Sequence, residues 1–196
     1  MKPIVTACIL SLALTGCVPA YTLKKSGSTS VAGDSVVVQS STAWNGVPKT
    51  ALRTQWEEVW THNGPLLESV SFIGGLPEGK TLLIQKKKAA QKVPLFRADM
   101  SPDDLVSMLE ASYRIRGVTV FTVQSVDLIQ FLDGPGIRVR FDYAPGDGVS
   151  SKGESVFRVI DKKLYLMRLD GVSIHYFDAA LSEFEQLVGS ARLAKQ

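Results

Sequence analysis

The distribution of apolar and polar residues divides the chain into a leader, a polar stretch and a sheet-rich body. After Met1-Lys2, residues 3–15 are predominantly apolar, whereas residues 18–33 are rich in Ser, Gly and Thr, a composition typical of linkers. From residue 34 onwards, β-branched and aromatic residues recur in short segments separated by Gly, Pro, Asn and Asp. The pattern therefore predicts a removable leader over 1–16, a flexible linker over 17–33 and one domain over 34–196.

Two segments of the body predict helices. Ser101-Pro102-Asp103-Asp104 combines an N-cap serine with a proline and acidic residues in the first turn, so a helix begins there and ends before Gly117. Apolar residues recur every three or four positions over residues 177–193 and predict a second helix.

The remaining apolar segments predict strands joined by short turns. Asn63-Gly64 is the strongest hairpin signal, and Trp44 to Pro48 is also predicted to be a turn. Because consecutive strands joined by short turns pair antiparallel, we predict the α+β fold class, with an antiparallel β-sheet covered by helices. The predicted strands are 35–41, 52–61, 66–73, 81–85, 118–126, 137–143, 154–160 and 164–169. Residues 52–61 also match the apolar spacing of a helical face, so a helix is the alternative there, with a strand favoured because the hairpin turn follows.

The leader ends in Leu14-Thr15-Gly16-Cys17, which resembles the lipobox of bacterial lipoproteins. An apolar run of about 13 residues is shorter than the roughly 20 needed to span a bilayer, so it is typical of a signal peptide. The resemblance implies cleavage before Cys17, a diacylglycerol on its thiol and an acyl chain such as palmitate on the new amino terminus. An ordinary secretory leader with a chance cysteine is the alternative.

The cleavage and alkylation that this resemblance implies would remove Cys8 with the leader and block the thiol of Cys17, so we expect no disulfide, thiol catalysis or cysteine metal site. Val18 stands where the inner-membrane retention signal has Asp. By resemblance to that sorting rule, we expect a lipid anchor in the outer membrane with the body facing the periplasm. The alternative is the outer leaflet of the inner membrane.

Composition restricts both the number of domains and the classes of binding partner. The 196 residues, of which 45% are hydrophobic, are enough for one domain with its own core. A net charge of +3 is too small to indicate the strongly basic surface of a nucleic-acid-binding protein.

The segment Gly74 to Thr81 matches the P-loop pattern G-x-x-x-x-G-K-[ST] letter for letter. In a P-loop, backbone N–H groups and the lysine bind phosphates, and the Ser or Thr holds magnesium at the start of a helix. Here Leu76 to Gly79 is typical of a β-turn, and Thr81 to Ile84 favours a strand. Residues 128–133 resemble a Walker B strand but lead into a turn. We therefore predict a surface turn and no nucleotide site.

Other candidate chemistry is sparse. His62 and His175 lack the spacing of metal ligands, and no G-x-S-x-G motif indicates a serine hydrolase. Carboxylates have no spacing that marks an acid–base pair, although a dispersed pair could assemble in the fold. The sequence thus predicts no catalytic, cofactor-binding or metal-binding residue, and lipidation of Cys17 is its single predicted site.

Two residue clusters have both a binding and a structural interpretation. Lys86 to Lys88 with Lys92 could face a membrane or glycan, but a solvated loop is favoured. Trp44, Trp56 and Trp60 could line a ligand groove, but packing in the core is favoured.

Five segments of the body resemble those of a group of bacterial envelope lipoproteins, and the order of elements is similar to the PsbP-like architecture. They are FIGGLPEGKTL, FRADMSPDDLV, VRFDY, KLYLMRLDG and HYFDAALSEFEQLVGSARL. Since PsbP relatives mostly bind partners or assist assembly, the resemblance implies a non-enzyme. We expect a lipid-anchored binding or assembly module with an envelope protein or glycan as partner. The alternative is a cell-wall enzyme with a dispersed carboxylate site.

Overall fold

The fold is an antiparallel sheet structure with helices on its two faces. The computed structural model describes residues 20–52, 54, 56–83, 92–146 and 148–195. Within these residues, the helices are α1 (Pro102–Ile115) and α2 (Tyr176–Ser190), and Lys49–Ala51 forms a short 3-10 helix. The strands are β1 (Thr22–Lys24), β2 (Gly27–Val31), β3 (Val36–Ser40), β4 (Trp44–Gly46), β5 (Glu57–Thr61), β6 (Glu68–Pro77), β7 (Val118–Phe131), β8 (Gly134–Pro145), β9 (Ser151–Ile160), β10 (Lys163–Val172) and β11 (Arg192–Leu193).

Eight strands form one large sheet in the order β1-β4-β5-β6-β10-β9-β8-β7, and a small sheet has the order β11-β3-β2. Every pairing between these strands is antiparallel, which confirms the predicted antiparallel sheet. The 14-residue strand β7 is an edge of the large sheet, and its ladder with β8 is interrupted between Val118 and Val120 and between Val123 and Ser125. The sheet dominates the architecture, and the two helices cover only part of it.

Helix α1 packs against one face of the large sheet. Its buried Leu105, Leu109 and Tyr113 join a core cluster that includes Phe157 and Leu166 from the central strands. The Ser101 hydroxyl accepts a hydrogen bond from Asp104 N, and the Asp104 carboxylate accepts one from Ser101 N. The backbone bond from Ser101 is the main reason that the pKa of Asp104 is lowered. The predicted helix start is therefore confirmed, because this capping box satisfies amide groups that the helix leaves without partners.

Helix α2 packs against the other face together with the small sheet. Phe184 is fully buried in a core cluster with Phe72, Met167 and Leu169. The helix ends at Ser190, earlier than the predicted end at residue 193, because the chain turns extended at Ala191 and then pairs with β3. The C-terminal segment therefore both covers the large sheet and completes the small one.

The Asn63-Gly64 turn is confirmed, with a strand on either side of it, but β5 begins at Glu57 and not at residue 52, and β6 spans Glu68–Pro77 and not 66–73. Strand β5 leads into the turn, β6 returns beside it, and Gly64 has a φ of 113°, a conformation that favours glycine. Thr81 forms one isolated bridge with Leu95, while residues 84 and 85 of the strand predicted there lie outside the described residues.

Two predictions near the beginning of the body are wrong. Residues 22–24 and 27–31, assigned above to the flexible linker, form β1 and β2, and Trp44 to Gly46 forms β4 in place of a turn. Backbone pairing explains the difference, since β1 pairs with β4 and β2 pairs with β3. Polar composition suits these strands, because most of their side chains are exposed or half-buried at the sheet edges.

No helix among the described residues has the length and apolar character that crossing a bilayer requires.

Candidate functional site

Two features singled out in the sequence, the cysteine of the lipobox and the lysine run, lie outside the residues that the structure describes. Cys17 lies outside the described residues, and so does the lysine run 86–88, whereas the neighbouring Lys92 is exposed. Lipidation of Cys17 therefore remains a prediction.

The segment that matches the P-loop pattern is the end of a strand followed by a turn. Gly74 to Pro77 belong to β6, and Leu76 pairs with Leu164 of β10. Backbone N–H groups of the turn donate to protein carbonyls, from Gly79 to Phe96 at 2.9 Å and from Lys80 to Pro77 at 3.2 Å. These amides have internal partners, so the described part of the loop has the conformation of the predicted turn.

The two histidines have separate surroundings. The ring of His62 stacks on Trp44 with 3.7 Å between centroids, and its Nε2 lies 3.1 Å from Glu183 Oε2. His175 is exposed where α2 begins, and its ring contacts that of Tyr176. Among the described residues, no three His, Cys, Asp or Glu side chains are placed to hold a metal ion.

The tryptophans occupy the core, as predicted. Trp44 and Trp60 are fully buried in the cluster beneath α2, and Trp56 is half-buried against the cluster beneath α1. Their rings therefore contribute packing and do not line a groove.

A buried polar network lies between the large sheet and α1, and the sequence reasoning missed it. The Arg168 guanidinium lies 2.9 Å from Asp170 Oδ2 and 3.4 Å from Glu57 Oε1, and it also donates to Ser71 Oγ at 3.3 Å. The Tyr113 hydroxyl donates a hydrogen bond to Asp170 Oδ1. The sequence of β10 does contain a signal for this cluster. Arg168 and Asp170 are two positions apart in a largely apolar strand, so their side chains lie on the same face of the sheet.

The tyrosines around this network have perturbed acidities. Burial, the main cause, raises the pKa of the Tyr113 hydroxyl far above its ordinary value, and the negative charge of Asp170 adds to the rise. Burial also raises the pKa of Tyr143, again with a contribution from Asp170. Both tyrosine hydroxyls therefore remain protonated at neutral pH. The hydrogen bond from Tyr113 to Asp170 connects α1 to β10, and the ion pair of Arg168 with Glu57 connects β10 to β5.

An open cleft of about 690 Å³ lies at the β1 edge of the large sheet. Its volume falls within the range of about 300–1,000 Å³ that is usual for ligand sites. The walls come from β1, the tip of the β2–β3 hairpin and the segment after β4, and Glu57 and Glu58 of β5 also line it. The lining residues are Thr22, Lys24, Ser30, Gly33, Asp34, Gly46, Val47, Pro48, Lys49, Leu52, Thr54, Glu57 and Glu58.

Glu58 holds the walls of this cleft together. Its carboxylate lies 2.7 Å from Lys24 Nζ and accepts hydrogen bonds from Trp60 Nε1 at 2.9 Å and Ala32 N at 3.0 Å. These contacts join β1, β5 and the β2–β3 hairpin. Glu57 is engaged with Arg168 in the buried network, so both glutamates have structural partners.

Charged side chains also stand at the exposed part of the cleft. Lys49 and Asp34 are both exposed to solvent and line it. A cleft that combines exposed charges of both signs with Val47 and Leu52 suits a partner that has both polar and apolar groups.

Similarity to known proteins is found among solved structures, and it concerns the fold. No family model and no curated protein sequence matches the chain. The solution structure of the cyanobacterial PsbP protein CyanoP from Synechocystis is similar over 94% of this chain and 98% of its own, with 15% identity and a TM-score of 0.54. A mutant of the protein Mog1 is similar over 88% of this chain and 98% of its own, with 9% identity and a TM-score of 0.50.

The Saccharomyces cerevisiae Ran-binding protein Mog1p is similar over 91% of this chain and 97% of its own, with 9% identity and a TM-score of 0.47. At these identities the likenesses bear on the fold alone. The antiparallel sheet, the two helices and the near-complete coverage of CyanoP together show that this chain has a PsbP-like fold.

Proposed function

We propose that this chain is a lipid-anchored, non-catalytic binding or assembly module of the bacterial envelope, and that a protein partner binds in the cleft beside β1. One observation carries the proposal: Thr22 and Lys24, which line the cleft, follow only a few residues after Cys17. An anchor on Cys17 would hold the cleft near the membrane, where envelope partners are concentrated. The expected location is the outer membrane with the body facing the periplasm.

The anchor is tested on the mature protein. Mass spectrometry of its amino terminus should find an acylated Cys17, and Cys17→Ser should release the protein from the membrane fraction. An unmodified amino terminus at another residue would reject the anchor. Separation of inner and outer membranes then decides between the two membranes.

The binding site is tested by cross-linking in cells. A photoreactive amino acid in place of Lys49, in the cleft, should capture a discrete protein partner. The same substitution at Lys163, an exposed lysine of β10 outside the cleft, is the matched control and should not. Equal capture at both positions, or none at Lys49, would contradict the cleft as the binding site.

The rival function is a cell-wall enzyme that uses carboxylates of the cleft. If purified protein hydrolysed peptidoglycan, and Glu58→Gln abolished this while retaining the fold, the enzyme would replace the binding module. Since Glu58 is bonded to Lys24, Trp60 and Ala32, we expect no such hydrolysis.

A further inference from the structure

Strand β2 has a free edge. The small sheet has the order β11-β3-β2, so β3 is the neighbour of β2 on one side, and within the described residues no strand pairs with its other side. The five residues of β2 pair with β3 from Gly27 opposite Ser40 to Val31 opposite Val36, without a break in register. The direction of its backbone groups therefore decides what this edge can bind.

The hydrogen bonds of β3 show which of its residues face β2. Gln39 N donates to Ser190 Oγ at 2.9 Å, and Gln39 O lies 3.3 Å from the same hydroxyl. Ala194 N donates to Ser35 O at 3.1 Å. Gln39 and Ser35 thus direct their backbone groups toward α2 and β11, away from β2. Because successive residues of a strand direct these groups to opposite sides, residues 36, 38 and 40 face β2.

Ser28 and Ser30 therefore present their N–H and C=O groups on the free edge of β2. The residues opposite positions 36, 38 and 40 are Val31, Thr29 and Gly27, and these form the hydrogen-bonded pairs of the ladder. Ser28 and Ser30 alternate with them and point the other way. No turn or loop backbone in the described part of the chain bonds to their outward groups.

The other strand edges are short, charged or interrupted. Strand β1 has three residues and includes Lys24, and β11 has two and includes Arg192. Strand β7 is long, but its ladder is interrupted twice. These features are typical of edges that do not accept a further strand. Strand β2 has five residues without a charge, a proline or a break, so it is the edge best suited to strand addition.

The free edge of β2 borders the cleft. Ser30 lines the cleft together with Thr22 and Lys24 of β1, and Gly33 and Asp34 of the hairpin tip form the adjoining wall. Successive side chains of an extended strand point to opposite faces. A strand added to β2 would therefore run beside the cleft and direct every second side chain into it.

The size of the cleft favours another protein over a second copy of this chain. If β2 of a second copy paired here, the residues beside the cleft would be Gly27 to Ser30, whose side chains are small. They would leave most of a volume of about 690 Å³ without contacts. A segment with larger side chains would fill it, and the exposed Lys49 and Asp34 at the cleft provide a charge of each sign for its polar groups.

We infer that a protein partner adds an extended segment to β2 as a fourth strand of the small sheet, with its alternate side chains in the cleft. This inference rests on the proposed function and specifies the form in which the partner is recognised. The outward backbone groups of Ser28 and Ser30 would hold the main chain of the segment. The cleft would select its side chains.

The test repeats cross-linking in cells from a photoreactive amino acid at position 49, with Ser28→Pro and Ser28→Ala in the full chain. Ser28 is not among the residues that line the cleft, and an edge strand tolerates proline where the N–H points outward. Proline removes this N–H, whereas alanine keeps it and removes only the exposed hydroxyl. We expect capture to fall at least about tenfold in Ser28→Pro and to stay within about twofold of the parent in Ser28→Ala.

The outcomes separate this inference from the proposed function. Equal capture by the parent and both variants would overturn strand addition and leave the cleft as the binding site. Absence of capture by the parent would reject both. A cross-link to a second copy of the chain would show self-association and overturn the inference.

A second measurement does not depend on the folding of a proline variant. Mass spectrometry of the cross-link identifies the captured segment, and a synthetic peptide of that sequence is added to the isotope-labelled parent chain. Amide hydrogen exchange, followed by NMR, should slow at least about tenfold at Ser28 and Ser30. It should change little at Thr29, whose N–H already faces Val38. Unchanged exchange at Ser28 and Ser30 would overturn the inference.

Discussion

Arg168 and Asp170 form an ion pair inside the core, with 2.9 Å between Arg168 Nε and Asp170 Oδ2 and side chains that are 4% and 9% exposed. Removing one partner of a buried pair leaves the other charge without compensation, at a cost of about 3–5 kcal/mol. Asp170→Ala should therefore lower the free energy of unfolding by that amount, measured by denaturant titration. Asp99→Ala is the control, because the pair of Asp99 with Arg97 is exposed and should contribute no more than about 1 kcal/mol. Equal losses in the two variants would contradict a structural role of the network.

The buried face of α2 provides a second prediction. Phe184 is fully buried at the centre of the helix, and removal of a buried phenylalanine side chain typically costs about 3–5 kcal/mol. Phe184→Ala should lower the thermal unfolding midpoint sharply, whereas Ser182→Ala on the exposed face should change it little. An unchanged midpoint in Phe184→Ala with loss of partner binding would identify the helix as an interface.

Alkaline pH should unfold the protein. Burial raises the pKa of Tyr113 and Tyr143 above the ordinary value of about 10, at which these groups ionise in the unfolded chain. Above that pH the unfolded state binds fewer protons than the folded state, so stability is fully present below about pH 10 and is lost as the pH rises. Unfolding followed by circular dichroism should coincide with late phenol ionisation. The double variant with Tyr113→Phe and Tyr143→Phe should have a shallower decline, and an identical decline would refute this explanation.

The first glycine of the P-loop match should be required for packing. A Cβ built on Gly74 would lie 1.7 Å from Ser35 Oγ and 2.9 Å from Ala32 Cβ, so the β2–β3 hairpin would have to move. Gly74→Ala should destabilise the protein by about 1–3 kcal/mol. Gly189→Ala is the control, because nothing lies within 4 Å of its added Cβ in α2 and alanine favours the helix. The measurement is the denaturation midpoint, and a neutral Gly74→Ala would disprove the packing requirement.

The lysine of the same segment should be dispensable. Lys80 is exposed in the turn after β6, and surface substitutions usually change stability by no more than about 0.5 kcal/mol. Lys80→Ala should leave stability and partner capture unchanged. Saturable ATP binding by the parent, lost in this variant, would restore the nucleotide-site interpretation.

Local signals in the sequence predicted the elements that depend on neighbouring residues. The capping box at Ser101 and the turn at Gly64 each require residues only a few positions apart. The apolar stripe of α2 likewise predicted its burial, since a regular stripe must pack against another apolar surface. These elements together indicated an antiparallel fold with helices.

Contacts between distant residues account for what the sequence did not predict. Strand β1 forms because Thr22 to Lys24 pair with Trp44 to Gly46, and no local pattern specifies that partner. Similarly, Arg168 meets Glu57 across 111 positions of sequence. The cleft could not be anticipated, because its walls come from segments that only the folded chain brings together.

The interrupted ladder of β7 has a consequence for aggregation. An edge strand of 14 residues with exposed valines could otherwise recruit the edge of a neighbouring molecule. The irregularities between Val118 and Val120 and between Val123 and Ser125 break the row of evenly spaced N–H and C=O groups that such recruitment needs. If the anchor proposed on Cys17 confines copies of the chain to one membrane surface, this irregular edge would keep neighbouring molecules from joining into a continuous sheet.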